Sequence, residues 1–231
     1  MKTAGWAGVL FVVLSGVIVV VAPFWPPLGA SAGEVATWYR EHRMPFLVGN
    51  YLAIAAAVPS FVQLAALSMM IKRAEGEGGW LWIAVLGSVL LAHAAGAMAL
   101  TAYQTVPFEL GAGQEAVAKG LNDFAGTSFA TFLCALSGFC LFNSWAVFKT
   151  GVLPRWYGGL GVPLVPLCLF ASLGEIWSEP RWLAGGGLLT TAVTGLFFWW
   201  CGVLAVLMLR MPSTPARLSA SPAAPPSSTA S

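Results

Sequence analysis

Six long apolar stretches, separated by short segments that hold nearly every charge, constrain this chain more than any other feature. They run from about Gly5 to Phe24, Pro45 to Ile71, Trp80 to Tyr103, Asp123 to Phe148, Trp156 to Leu173 and Leu183 to Leu209. A helix needs about 20 mostly apolar residues to cross some 30 Å of hydrocarbon, and only the fifth stretch falls short of that. With 58% of residues hydrophobic and 9% charged, a soluble fold would lack the polar material to cover its surface. Backbone groups in lipid have no water to bond, so each stretch must satisfy its own as a helix. The expected fold is therefore all-α, a polytopic membrane bundle of six transmembrane helices over residues 1–211. Beyond Met211 the composition turns to Pro, Ser, Ala and Thr. Residues 212–231 accordingly read as a disordered cytoplasmic tail that cannot bury enough apolar area to order itself.

Lysine and arginine set the orientation. With both termini cytoplasmic, the inner segments carry Lys2, Lys72, Arg73, Lys149, Arg155, Arg210 and Arg217, against Arg40, Arg43, Lys119 and Arg181 outside. The first stretch is expected to be retained rather than cleaved. Its A-x-A pattern, Ala30-Ser31-Ala32, lies well past the apolar run and behind Pro23, Pro26 and Pro27. Trp6, Trp80, Trp82, Trp145 and Trp156 are expected at the inner interface, and Trp25, Tyr103, Trp177 and Trp182 at the outer one. Between the first two spans, Ser31 and Glu34 fit a capping box. Glu34 to Arg43 reads as a short outer helix lying in the membrane surface, with a lid over the bundle as the alternative.

Polar groups inside the spans are few. His93, halfway along the third, is followed by Gly96 and Ala97. That small-residue patch turns the imidazole toward the bundle, for an interhelical hydrogen bond or, on the sharper reading, a ligand or proton contact. Asn50, Ala53, Ala57, Ser60 and Gln63 follow one side of the second span. Gly126, Ala130, Ser137 and Ser144 do so on the fourth, with Thr127, Thr131 and Asn143 nearby, and both rows read as packing seams. His93, Asn50, Gln63 and Asn143 are the candidate polar groups of the bundle interior. Asn122 and Asp123 are expected to cap the fourth span, and Glu175, Glu179 and Arg181 to pair at the outer end of the last two. Cys134, Cys140, Cys168 and Cys201 all fall within apolar runs, without the spacing of a metal site, and read as small hydrophobes.

The segment Lys149-Thr150-Gly151-Val152-Leu153-Pro154-Arg155-Trp156-Tyr157-Gly158-Gly159-Leu160-Gly161 resembles one in uncharacterised multi-pass membrane proteins of bacteria. That group, a domain of unknown function, carries a basic-x-G-x-L-P-R turn before its penultimate helix. The resemblance implies a layout and no activity. Read physically, Gly151 permits a tight turn, Pro154 stops the preceding helix, and Arg155 with Trp156 anchors the next one at the headgroups.

No nucleotide-binding, hydrolase or zinc-protease motif is present, and no catalytic residue, metal ligand or cofactor is expected. A net charge of +2, with no basic run longer than Lys72-Arg73, excludes a nucleic-acid partner. The expected function is a non-enzymatic bundle of a bacterial inner membrane, where Arg exceeds Lys and Ala and Gly abound as in GC-rich genomes. It binds a lipid-like or apolar ligand or a membrane partner. The alternatives are a small permease bent at Pro59, Pro163 and Pro166, and an intramembrane enzyme using His93 as base.

Overall fold

A computed structural model describes residues 1–21, 25–26, 28–175 and 187–211. Among these every regular element is helical: α1 (Lys2–Val21), α2 (Ala32–Glu41), α3 (Arg43–Glu75), α4 (Leu81–Gly111), α5 (Glu115–Thr150), α6 (Arg155–Gly161), α7 (Leu164–Ser172) and α8 (Leu188–Arg210). A 3₁₀ turn, Leu173–Glu175, follows α7. Five of them, α1, α3, α4, α5 and α8, are long and apolar enough to cross a membrane. The protein is an all-α, multi-pass membrane chain by that measure.

Helices α3, α4 and α5, with 33, 31 and 36 residues, outrun the bilayer. At 1.5 Å per residue they reach about 45–55 Å, against roughly 30 Å of hydrocarbon. The surplus forms a platform at one end of the bundle, and α2 docks on it. The Ser31–Glu34 capping box starts α2, with Ser31 N–H donating to Glu34 (2.8 Å) and Glu34 N–H to Ser31 Oγ (3.2 Å). Val35, Ala36 and Tyr39 are buried in one cluster with Val106 and Ala118. The apolar face of α2 is thus spent on the protein and not on headgroups, contrary to a helix lying free in the membrane surface.

Asn122 and Asp123 do not cap α5, which begins at Glu115. They lie two turns inside it, because the polar stretch Glu115–Asp123 continues the helix past the apolar run. Asp123 pairs with Lys119 one turn back. Asn122 Oδ1 accepts a buried hydrogen bond of 3.0 Å from the Tyr39 hydroxyl. Burial pushes the Tyr39 phenol above its usual range, since the charged form would lose its hydration. Trp25 and Tyr103, both expected at the outer interface, pack together at 5.3 Å at this end. At the other end Trp6, Trp80, Trp145 and Trp156 stay exposed.

The fifth apolar stretch is broken, not simply bent. Helix α6 ends at Gly161 and α7 starts at Leu164, with Val162 and Pro163 between. Pro163 has no N–H to continue the ladder and its ring crowds the preceding turn. The turn before α6 follows the motif's chemistry: Gly151, at φ +64°, closes α5 through its N–H to Val147 O (2.9 Å), and Pro154 O accepts from Tyr157 N–H (2.9 Å). Expectations for Pro23, Phe24, Pro27, Trp177, Glu179, Arg181, Trp182 and residues 212–231 lie outside the described residues.

Candidate functional site

Where α1, α3, α4, α5 and α8 surround a common space, their side chains leave a cavity of about 190 Å³. Its floor and walls are aromatic: Phe11 from α1, Phe129, Phe132 and Phe139 from α5, Phe197 and Phe198 from α8. The α3 side is built from small residues, with Ala53, Ala57 and Ser60 standing one turn apart along it. That row is therefore largely a cavity wall and not the packing seam its pattern implied. Rings on one side and alanines on the other keep the backbones apart without filling the gap.

Among the described lining side chains only Ser15, Ser60, His93 and Thr194 carry polar atoms, and none of these carries a full-time charge. Ile54 of α3, 42% exposed, and the exposed Ala97 of α4 both belong to the wall, so the cavity reaches the outer apolar surface between those helices. A smaller space of about 60 Å³ adjoins it toward the α2 end, sharing Ile18, Ala53, Leu100 and Phe129 and adding Trp25, Asn50 and Tyr103.

His93 joins α4 to α3. Its Nε2 lies 2.8 Å from Ser60 Oγ, and its Nδ1 lies 2.8 Å from the Val89 carbonyl of its own helix. Phe61 meets the imidazole edge-on, 5.6 Å between centroids. Pro59, just before Ser60, cannot donate to the carbonyl of Ala55, which loosens α3 at this level.

The four candidate interior residues do not converge. Asn50 donates to Leu100 O (2.8 Å) and Gln104 Oε1 (2.7 Å), tying α3 to α4 beside the smaller space. Gln63 reaches across to α8, donating to Cys201 O at 2.9 Å, and passes over Gly8 of α1, where any side chain would collide with its amide. Asn143 is fully buried on the opposite side of α5. Its amide faces the Tyr157 hydroxyl without reaching hydrogen-bond geometry.

Three features escaped sequence reading. Ser15 of α1, 2% exposed, lines the cavity with no hydrogen-bond partner for its hydroxyl. Ser60 reads as one member of a seam with nothing to set it opposite His93, because helix register across two spans has no signature in one sequence. Cys140, Cys168 and Cys201 come together in the core from three helices. Among the described residues no group of histidine, cysteine or acidic side chains is arranged to hold a metal ion. Comparison with known protein families, curated proteins and solved structures finds no match for this chain.

Proposed function

We propose that this chain is a bacterial cytoplasmic-membrane protein that crosses the bilayer six times and binds an apolar, lipid-like ligand without transforming it. The even number of crossings is supported by the meeting of Gly5 and Leu209, which brings the start of α1 against the end of α8. On this reading α6 and α7 together make the sixth crossing. Lys2, Lys72, Arg73, Lys149, Arg155 and Arg210 then share the cytoplasmic face, in keeping with the layout implied by the turn at residues 149–155.

The observation that carries the binding function is the cavity: about 190 Å³, almost wholly hydrocarbon-lined, and open sideways between α3 and α4. A dry apolar cavity of about 150 Å³ already admits a benzene-sized molecule. A ligand entering from the bilayer crosses no polar barrier. Native mass spectrometry of the protein extracted in mild detergent should show a retained apolar molecule. Uniformly bare protein under several detergents would contradict the reading.

A second reading is favoured by one contact, the Ser60–His93 pair. A hydroxyl 2.8 Å from an imidazole whose other nitrogen is held by a carbonyl has the arrangement of a nucleophile and its base. Acyl transfer also needs donors for the oxyanion. The N–H groups beside Ser60 belong to the interior of α3, and Pro59 has none. Covalent labelling of Ser60 by a lipophilic fluorophosphonate would establish the enzyme; its absence leaves the binding role. For the permease alternative, suited to the loosened α3 at Pro59, solute flux in proteoliposomes is the corresponding measurement.

A further inference from the structure

The hydrogen-bond balance of the cavity wall specifies the head group it accepts. The Val89 carbonyl beside His93 Nδ1 can only accept, so Nδ1 carries a proton. Two further contacts complete the chain, Nε2 to Ser60 Oγ at 2.8 Å and Ser60 Oγ to the Ala57 carbonyl at 3.0 Å. A neutral imidazole and one hydroxyl hold two protons for these three contacts. However the protons are shared among the three contacts, all of them are committed within the pair. The pair then has nothing left to donate and keeps a lone pair on Ser60 Oγ free to accept.

The unpartnered Ser15 hydroxyl is the second observation, a buried polar group in the same wall that makes no hydrogen bond to the described residues. Thr194, by contrast, is spent on Thr190 O at 2.8 Å.

We propose that the cavity holds a lipid alcohol, a neutral hydrocarbon molecule whose hydroxyl donates to Ser60 Oγ, with Ser15 as a second polar contact in the wall. The enclosed space takes the head and the first carbons, and the tail leaves between Ile54 and Ala97 into the bilayer. Carboxylates, phosphates and ammonium groups are disfavoured because no Asp, Glu, Lys or Arg stands among the described residues of the wall. Ketones, esters and ethers are disfavoured because they bring an acceptor to an acceptor. This inference rests on the reading of the cavity as an apolar ligand site, and its test separates the two.

The full-length protein in phosphatidylcholine nanodiscs would be photolabelled with a diazirine-bearing fatty alcohol and, in parallel, with its methyl ether, which has the same body and oxygen but no proton to give. Labelled peptides would be mapped. The alcohol should label the α3 and α4 cavity peptides about tenfold more than the ether, the value of one hydrogen bond. In the double variant Ser60→Ala, His93→Leu both partners become apolar, so no polar group is orphaned and the bundle is expected to hold. There alcohol labelling should fall to the ether's level. Equal labelling of the wild-type cavity by both probes overturns the alcohol and leaves the apolar site standing. Labelling of the cavity by neither overturns both. A preference that persists in the folded double variant overturns the assignment to Ser60, and if that variant fails to fold the wild-type comparison still decides.

Discussion

Around Trp200 the helices are jammed together; around His93, in the same bundle, they stand apart. Trp200 is fully buried, stacked on Tyr157 at 5.0 Å, and donates its indole N–H to Tyr157 O at 3.2 Å. Helix α6 reaches that ring through Gly161, where a Cβ would lie 2.6 Å from the Trp200 ring and collide with Ser144 Oγ. Ser137 of α5 adds a hydrogen bond of 3.1 Å to Val165 O of α7. On the other side of α5 a Cβ at Gly96 would meet Phe132 at 3.4 Å, an ordinary contact, with the cavity beside it. Close approach of backbones needs a residue without a side chain at the crossing. Where phenylalanines face alanines, neither approach nor filling occurs, and a ligand-sized space remains.

The sharpest way to break this contrast is Trp200→Ala. Removing the ring should destabilise the bundle by about 3–5 kcal/mol, read as thermal unfolding in detergent by circular dichroism. A loss below about 1 kcal/mol would mean that the region is not close-packed. Next comes a paired substitution. Gly161→Ala should cost about 1–3 kcal/mol through overpacking, whereas Gly96→Ala should stay within about 0.5 kcal/mol. Equal effects would erase the distinction between the two sides.

A third prediction concerns the platform under α2. Tyr39→Phe strands the Asn122 amide oxygen and should cost about 1–2 kcal/mol. The pH dependence has a definite sign. Burial raises the Tyr39 pKa in the folded state, so the unfolded chain loses the phenolic proton first. Stability is then fully present below the free phenol's pKa of about 10 and falls as pH rises beyond it. Proteolysis between α1 and α3 should accelerate above about pH 10 in the wild type, and that part of the pH response should be missing in Tyr39→Phe. A modest change in stability is expected for Ala57→Phe, which grows a ring into the cavity. It should shift stability by less than about 1.5 kcal/mol while abolishing the retention of an apolar molecule expected in native mass spectrometry. Retention of such a molecule by the variant would place its site elsewhere.

Much of the layout was legible in the sequence because lipid imposes it. Length and hydropathy mark α1, α3, α4, α5 and α8, and the Ser31–Glu34 pair marks the start of α2 within a residue. Gly151 and Pro154 announce the turn into α6 through their own backbone restrictions. What stayed hidden depends on neighbours. Asn122 and Asp123 look like caps where the apolar run begins, yet helices ignore the membrane boundary once a docked partner such as α2 covers their polar extension. Ala53, Ala57 and Ser60 look like a seam because small residues serve close packing and void formation equally, and only the phenylalanines opposite decide which. Ser15 gives no signal at all, since a helical serine ordinarily bonds its own preceding turn.

The most direct test of the central claim is a crystal structure grown from a lipidic phase without added ligand. The account predicts continuous density for an apolar molecule between Ser60, Phe132 and Phe197, leaving the bundle past Ile54. An empty space closed by inward rotation of those phenylalanines, with α3 and α4 sealed together, would contradict it.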